Sequence, residues 1–222
     1  ETVNQLRFRD TVQHQYREVD ADNPLPVAPV GTPSLYGVPY FADYLWRLAF
    51  EGRVFIAADA AAGDKVTGQT SFANTTPTFL LRVPPGRTAL PLFVNLAQSG
   101  TVAGGAVDVV IEIDDVDRYS TGGTLETIFT PRKVEYPRTP ACGLYSGATA
   151  AAGYGARVWG ATVGQDVSAA EGAVQGPYWK PELPYILEGP AALLVFTYAG
   201  TTGPTWLWSI GWAEWPTEGY AH

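Results

Sequence analysis

Few side chains in this sequence could act as nucleophiles or bases. Histidine occurs twice, as His14 and as His222 at the last position, and Cys142 is the single cysteine. A Ser-His-Asp or Cys-His site needs a base held within hydrogen-bond reach of its nucleophile, and neither histidine is placed for that role. One cysteine also excludes an intramolecular disulfide and a cysteine-based zinc site. The sequence therefore predicts a protein that is not an enzyme and has no cofactor.

Acidic residues cluster in one stretch, at Glu112, Asp114, Asp115 and Asp117. Their oxygens are of the kind that calcium prefers, but the spacing lacks the Asp-x-Asp-x-Asp-Gly pattern of a calcium loop. The stretch also runs from a strand into a turn before Arg118. We therefore interpret it as a solvated strand end with an Asp–Arg ion pair, and predict no metal site.

Tryptophan is concentrated in segment 206–215, where large and small side chains alternate with a period of two. One face carries Trp206, Trp208, Ile210 and Trp212, and the other carries Leu207, Ser209, Gly211 and Ala213. As a binding platform, the Trp row would stack on sugar rings. We favour a core position, because exposing the row would leave an apolar patch on the order of several hundred Å². A subunit interface is the third option. The core or interface candidates are Trp206, Trp208, Trp212 and Trp215.

The overall charge bears on possible partners. The chain has 22 acidic and 14 basic residues, a formal net charge of −8, and no run of Lys or Arg. Neutralising phosphates requires a basic patch, so direct nucleic-acid binding is not predicted. No apolar segment approaches the roughly 20 residues of a membrane helix, and no membrane span is predicted. Only 16% of residues are charged, below the roughly 25% of an ordinary soluble domain, which predicts a largely neutral surface.

The elements that would position these residues are predicted to be strands. The 24 Gly and 18 Pro supply turns at short intervals, which suits many short strands. Segment 106–113 alternates apolar and acidic residues, which predicts a half-buried antiparallel strand. The other predicted strands cover 54–57, 79–83, 90–94, 125–129, 157–163, 185–187, 192–198 and 205–214, and segments 101–105 and 146–155 are predicted loops. These features predict an all-β, antiparallel β-sandwich of jelly-roll type with one short helix.

The N-terminal region differs from the rest of the chain. Its Pro-rich segment 23–29 must be extended, because Pro fixes φ and removes a donor. We predict an extended N-terminal arm over residues 1–34, which is either a loose terminus or a segment lying on a neighbouring subunit, and a β-sandwich domain over residues 35–222. Apolar residues at helical spacing from Phe41 to Leu48 predict a short helix that ends near Glu51-Gly52 and covers a sheet edge or end.

The second half of the chain resembles virion structural proteins of bacteriophages. In segment 185–196 a Leu-Glu-Gly-Pro turn leads into an aliphatic strand, and a Thr-rich loop then leads to a strand ending in Trp-Ala-Glu at 212–214. Segment 118–124 is similar to an Arg-Tyr-Ser-x-Gly-Gly-Thr turn in such proteins. The resemblance implies a capsid or capsid-decorating protein, located in the virion, that contacts copies of itself and other capsid proteins.

A second resemblance is to family-eleven xylanases, which are also β jelly rolls rich in Trp and Tyr. Glu135 in Val134-Glu135-Tyr136 and Glu218 in the segment 217–220 resemble the surroundings of that family's two catalytic glutamates. The resemblance implies a nucleophile and an acid/base about 5 Å apart. Glu135, however, lies in a Pro-bracketed segment that is unsuited to a central strand.

Together these observations predict a virion structural protein that forms or decorates a capsid without catalysis. We expect a symmetric homo-oligomer, most simply a trimer, because neutral surfaces cost little to bury against copies of the same chain. A carbohydrate-binding β-sandwich module is the alternative, and it requires exposed, coplanar Trp rings. A jelly-roll glycoside hydrolase using Glu135 and Glu218 is the second alternative, and it requires the two carboxylates to face each other across a cleft.

Overall fold

The computed structural model describes residues 7–10, 15–18, 45, 48–49, 51–59, 65–99, 105–130, 139–164, 174–200, 203 and 205–218. The chain divides into two compact units, Glu1–Tyr44 and Leu45–His222. The boundary predicted after residue 34 thus lies inside the first unit. In the first unit, β1 (Arg7–Asp10) and β2 (Gln15–Glu18) pair as an antiparallel ladder. The other residues of the predicted arm lie outside the described residues.

The second unit is built of strands. Its strands are β3 (Val54–Ala58), β4 (Val66–Thr67), β5 (Phe79–Val83), β6 (Arg87–Gln98), β7 (Ala106–Asp114), β8 (Tyr119–Thr121), β9 (Thr124–Leu125), β10 (Ile128–Phe129), β11 (Gly143–Ser146), β12 (Thr149–Ala150), β13 (Ala156–Gly164), β14 (Val174–Trp179), β15 (Leu187–Glu188), β16 (Ala191–Tyr198) and β17 (Thr205–Pro216). Every ladder between them is antiparallel. The predicted all-β, antiparallel class is confirmed.

Two of the sheets form the layers of the unit. The first sheet has the order β10-β3-β17-β6-β14, with β15 beside β6 and β4 beside β17. The second sheet has the order β13-β7-β16-β5-β11-β9. Side chains from both sheets belong to one buried hydrophobic cluster. The architecture is therefore a β-sandwich, whose two inner faces make a common core.

The eight longest strands pair in a nested order. In chain order they are β3, β5, β6, β7, β13, β14, β16 and β17. The first pairs with the eighth, the second with the seventh, the third with the sixth and the fourth with the fifth. This is the pairing of one long hairpin, rolled so that alternate pairs fall in opposite sheets.

The end of the predicted helix is visible in the backbone. Leu45, Leu48 and Ala49 have helical conformation. Gly52 N donates to Ala49 O at 3.0 Å, Arg53 N donates to Leu48 O at 2.8 Å, and Gly52 has φ 69°. This is a Schellman ending, in which glycine takes the left-handed conformation that stops a helix. Leu48 packs with Val54, Ala213 and Trp215 against the outside of the first sheet. The described helical residues end where the sequence predicts, while Phe41 and most of the rest of the predicted helix lie outside the described residues.

Several details of the sequence-based assignment are wrong: strand β14 was not predicted, the strand predicted at 185–187 begins only at Leu187, and three further differences concern the layers. Residues 146–155 were predicted as a loop, but β11 and β12 include part of this segment. Residues 125–129 were predicted as one strand, but β9 and β10 pair in different sheets, so the chain crosses between the layers there. Strand β7 is buried on both faces rather than half-buried, because Val110 and Glu112 on its second face are covered. Hydrophobic alternation identifies a face, but it does not say what packs on that face.

Candidate functional site

The row of tryptophans lies in the core of the sandwich. Trp206 and Trp212 are fully buried, Trp208 is 5% exposed, and all three belong to the cluster that both sheets share. Phe79 from the second sheet lies 4.7 Å from Trp208, measured between ring centroids. A sugar platform needs exposed indole rings, so these three rings cannot form one in this fold.

Trp215 is buried on the opposite side of the same sheet. It packs with Leu48, Val54 and Ala213, and its residue is 8% exposed. Adjacent residues of a strand alternate between the two faces of a sheet, so Trp212 faces the inner core and Trp215 the outer cluster. The four tryptophans therefore serve two packing layers.

Glu214 is the one strongly buried carboxylate of strand β17, with 3% exposure. It accepts hydrogen bonds from Ala141 N at 2.6 Å, from Cys142 N at 3.0 Å and from Trp212 Nε1 at 3.1 Å. These bonds fasten the entry to β11 onto the last strand. Its oxygens are occupied by protein donors, which is the arrangement of a structural carboxylate rather than of a free base.

Two cavities flank this segment. One, of about 210 Å³, is lined by Arg53, Phe55, Arg87, Thr139 and Glu214. A second, of about 410 Å³, lies beside Thr139, Arg82, Leu125, Glu126 and Tyr145. The first is smaller than the roughly 300–1,000 Å³ of typical ligand sites. In the second, Glu126 accepts a hydrogen bond from the Ser146 hydroxyl, and Arg82 is paired with Asp117. Neither cavity joins a nucleophile to an available base among the described residues.

The acidic stretch is held by arginines. Asp114 accepts a hydrogen bond from Arg118 Nη1 at 2.7 Å, and Asp117 accepts one from Arg82 Nε at 2.8 Å. Arg118 is only 2% exposed and also donates to the carbonyls of Ala151, Asn74 and Gly153. The predicted Asp–Arg ion pair is confirmed, although it is buried rather than solvated. Arg118 joins three loops on the outside of the second sheet.

Among the residues that the structure describes, three ionisable side chains have displaced pKa values. The hydrogen bond and charge of Asp117 raise the pKa of Arg82. Burial, followed by the nearby charge of Asp108, raises the pKa of Tyr198. Burial, followed by the charge of Glu214, raises the pKa of the Cys142 thiol. A raised pKa keeps a thiol protonated and unreactive, so Cys142 lacks the properties of a catalytic nucleophile.

The remaining predicted site residues are only partly described. Glu135, His14 and His222 lie outside the described residues. Glu218 is described and is exposed, directly after the end of β17. The pairing of Glu135 with Glu218 therefore stays a prediction. Among the described residues, no group of three or more His, Cys, Asp or Glu side chains is arranged to hold a metal ion. No helix within the described part has the length and hydropathy of a membrane span.

One surface of the sandwich has no charged side chain among the residues that the structure describes. We call it the neutral face: it consists of the outward-facing residues of the first sheet beyond the cluster that contains Leu48. Its members are Ile56, Ala58, Phe93, Asn95, Ala97, Phe129, Tyr178, Leu207 and Ser209. All nine are partly or well exposed, with Phe129 at 49% and Tyr178 at 54% on opposite margins. Five neighbouring strands thus present an uncharged, mostly apolar surface.

The edge strands of the sheets are the second feature through which the protein could contact another chain. Among the described strands, three of the four that end the two sheets have features that hinder pairing with another chain. Strands β9 and β10 have two residues each, and β14 contains Pro177 within a bulge. Strand β13 is nine residues long, contains neither Pro nor Lys, and has one charged residue, Arg157. Short length, Pro and bulges are common means of blocking an edge, and β13 has only a bulge, near one end.

Comparison with known proteins did not identify a relative. No protein-family model, no curated protein and no solved structure matches the chain. The surfaces of the sandwich therefore provide the only guide to its function among the described residues.

Sequence reasoning missed the structural roles of Glu214 and of the β13 edge. Glu214 lies two residues after Trp212, so the two side chains point to the same inner face of the strand. An acidic residue at such a position indicates a buried carboxylate that is hydrogen-bonded within the protein. The edge position of β13 had no such signal, because a strand's place in a sheet depends on residues far away along the chain.

Proposed function

We propose that this chain is a structural subunit of a viral shell, which forms or decorates the capsid through contacts with copies of itself and with other capsid proteins. Its working parts are surfaces rather than a catalytic centre. In this proposal the mature location is the virion, and the subunits associate as a symmetric oligomer, most simply a trimer.

The nested pairing of the eight long strands supports a jelly roll. Strand pairs β3 with β17, β5 with β16, β6 with β14 and β7 with β13 are those of two Greek keys wound into two facing sheets. Viral capsid proteins, lectins and cupins use this architecture. The fold therefore restricts the candidates, and the surfaces must discriminate between them.

The neutral face is the observation that carries the proposal. Five strands about 4.8 Å apart and about five residues of β17 span a surface of about 24 by 17 Å, or about 400 Å². Seven of its nine side chains are partly buried and two are well exposed, and an apolar patch of about this size on a protein surface is often functional. A chain with a net charge of −8 keeps its charges away from this face, which lowers the desolvation cost of covering it with a second subunit.

The carbohydrate-binding alternative is less well supported. Its predicted platform consisted of Trp206, Trp208 and Trp212, whose rings are buried in the core. A module of this kind would have to bind sugar through other aromatic residues. The glycoside hydrolase alternative depends on Glu135, which lies outside the described residues.

Light scattering coupled to size-exclusion chromatography, followed by electron microscopy, tests the proposal. We expect the wild-type chain to form oligomers or shells, and Leu207→Lys, at the centre of the neutral face, to reduce them strongly. Tyr154→Lys is the matched control, because Tyr154 is 83% exposed on the loop between β12 and β13. A wild-type chain that stays monomeric at high concentration, or assembly equally sensitive to both variants, would overturn the proposal.

A further inference from the structure

Strand β13 (Ala156–Gly164) is an open edge of the second sheet. On one side it pairs with β7 from Ala156 to Gly164, and no described strand lies on its other side. Its outer N–H and C=O groups therefore offer the template on which another strand can pair. The other long edge strand, β14, carries Pro177 in its bulge, which removes one of its donors.

The residues of β13 leave the core incompletely covered at this edge. Val158, Trp159 and Val163 pack against the main hydrophobic cluster but are only partly buried. The alternate positions Gly160 and Thr162 face outward and are exposed. A further strand beside β13 would extend the sheet and cover the exposed flank of Trp159 at the same time.

We propose that β13 is an interface at which a second copy of this chain adds its own β13, in antiparallel pairing about a two-fold axis at Ala161. The pairing joins the second sheets of two subunits into one continuous sheet. This inference deepens the proposed function, because it names the partner and the geometry of one subunit contact.

The residue pattern of β13 is self-complementary about that two-fold axis. The bulge lies between Arg157 and Trp159, so the segment from Trp159 to Gly164 is regular. A two-fold axis at Ala161 places Trp159 opposite Val163 of the second copy, and Gly160 opposite its Thr162. Large side chains then extend the core layer, while small ones meet on the outer face. Cross-strand partners share a face, as an antiparallel ladder requires.

Charge also favours a second copy as the occupant. Arg157 is the one charged residue of β13, and the two-fold axis keeps the two Arg157 side chains eight residues, or about 27 Å, apart along the ladder. That separation exceeds the Debye length of about 8 Å at physiological salt, so like-charge repulsion is screened.

Thr162→Lys tests the pairing, because it puts a long charged side chain on the exposed face of the edge strand. The substitution also removes the hydrogen bond that the Thr162 hydroxyl donates to Asp108 and places the lysine beside that carboxylate. We expect the dissociation constant of the dimer, measured by analytical ultracentrifugation, to rise by at least about tenfold. Thr121→Lys is the matched control, since Thr121 is exposed on strand β8, and its dissociation constant should equal that of the wild type. Equal dissociation constants for the two variants would overturn the inference.

Oxidative cross-linking provides a second readout that reports position. At the two-fold axis, the Cα atoms of the two Ala161 residues lie about 4.5–5.5 Å apart, which suits a disulfide. Ala161→Cys should therefore form a covalent dimer, whereas Thr121→Cys should not. The native Cys142 is buried and contributes no background. Absence of the Ala161→Cys dimer would contradict the proposed axis.

The outcomes separate this inference from the proposed function. Association that is abolished by Leu207→Lys but unaffected by Thr162→Lys would refute the β13 contact and leave the structural role intact. The converse result would establish the β13 dimer and remove the support that the neutral face gives to shell assembly.

Discussion

Arg118 shows how a single residue holds the loops on the second sheet. Its guanidinium is 2% exposed, pairs with Asp114, and donates to three backbone carbonyls from two other loops. An arginine provides five donors in a fixed fork, which allows one side chain to satisfy several acceptors. Gly153 lies against this group, and a side chain there would press on the guanidinium carbon.

Arg118→Met should lower the free energy of unfolding by about 3–5 kcal/mol, because it leaves the Asp114 carboxylate buried without its partner. Urea denaturation followed by tryptophan fluorescence measures this change. Arg82→Met is the control: its side chain is 39% exposed and that of its partner Asp117 is 27% exposed, so its loss should cost within about 1 kcal/mol. If both variants lost the same free energy of unfolding, the ion pair of Arg118 with Asp114 would be no more important for stability than an exposed pair.

The Cys142 thiol gives a prediction about pH. Burial raises the pKa of this thiol in the folded chain, so the unfolded chain ionises first as the pH rises. The stabilisation is complete below the ordinary thiol pKa and is lost progressively as the pH climbs from that value towards the raised folded one.

We therefore expect Cys142 in the native protein to resist alkylation by iodoacetamide at pH 8 to 9, and to react at once in urea. Cys142→Ser should unfold at a urea midpoint that falls less over this pH interval than the wild-type midpoint does. Rapid alkylation of the native protein would contradict the burial of the thiol.

At the scale of elements, β17 organises the first sheet. It pairs with β3 on one side and with β6 on the other, and a bulge in β6 at Pro91-Leu92 shifts the register between Gly211 and Trp212. The bulge accommodates Pro91, which cannot donate to a regular ladder. Beyond it, Phe93 lies over Gly211, where any Cβ would collide with the ring.

Gly211→Val should lower the free energy of unfolding by about 1–3 kcal/mol, because the added side chain must displace the Phe93 ring. Chemical denaturation measures the effect. Thr205→Val on the same strand is the control: Thr205 is only partly buried, and its change should stay within about 0.5 kcal/mol. A neutral Gly211→Val would mean that Phe93 does not pack on the glycine.

At the scale of the whole molecule, assembly must overcome the charge that the copies share. Each subunit has a formal net charge of −8, while the neutral face and β13 carry a single charged residue between them. Contacts made through uncharged surfaces are opposed by long-range repulsion between the remaining charges.

Association should therefore strengthen as salt is raised from about 0.01 M to about 0.15 M, since the Debye length falls from about 30 Å to about 8 Å. Light scattering at fixed protein concentration measures the mean mass of the particles. Dissociation with added salt would instead indicate that the contacts are ion pairs, and would contradict the assignment of these two surfaces.

Local pattern was sufficient to predict much of this fold. The alternation over 205–214 predicts that Trp206, Trp208 and Trp212 share one face of the strand, and all three side chains lie in the core. Short apolar runs between turns located β3, β5, β7, β13, β16 and β17 to within a residue or two. These features follow from the period of two of a strand, which each segment expresses by itself.

What covers each face was decided only by tertiary structure. Asp108 and Glu112 were predicted to face solvent, but Glu112 is buried, and Val110 on the same face of the strand packs in a cluster with Leu80 and Ala150. The nested strand order and the edge position of β13 likewise depend on pairings such as β3 with β17, whose residues lie about 150 positions apart. The physical reason is that hydrophobic alternation indicates which side chains must be buried. The residues that bury them come from distant parts of the chain, and the local pattern does not identify those residues.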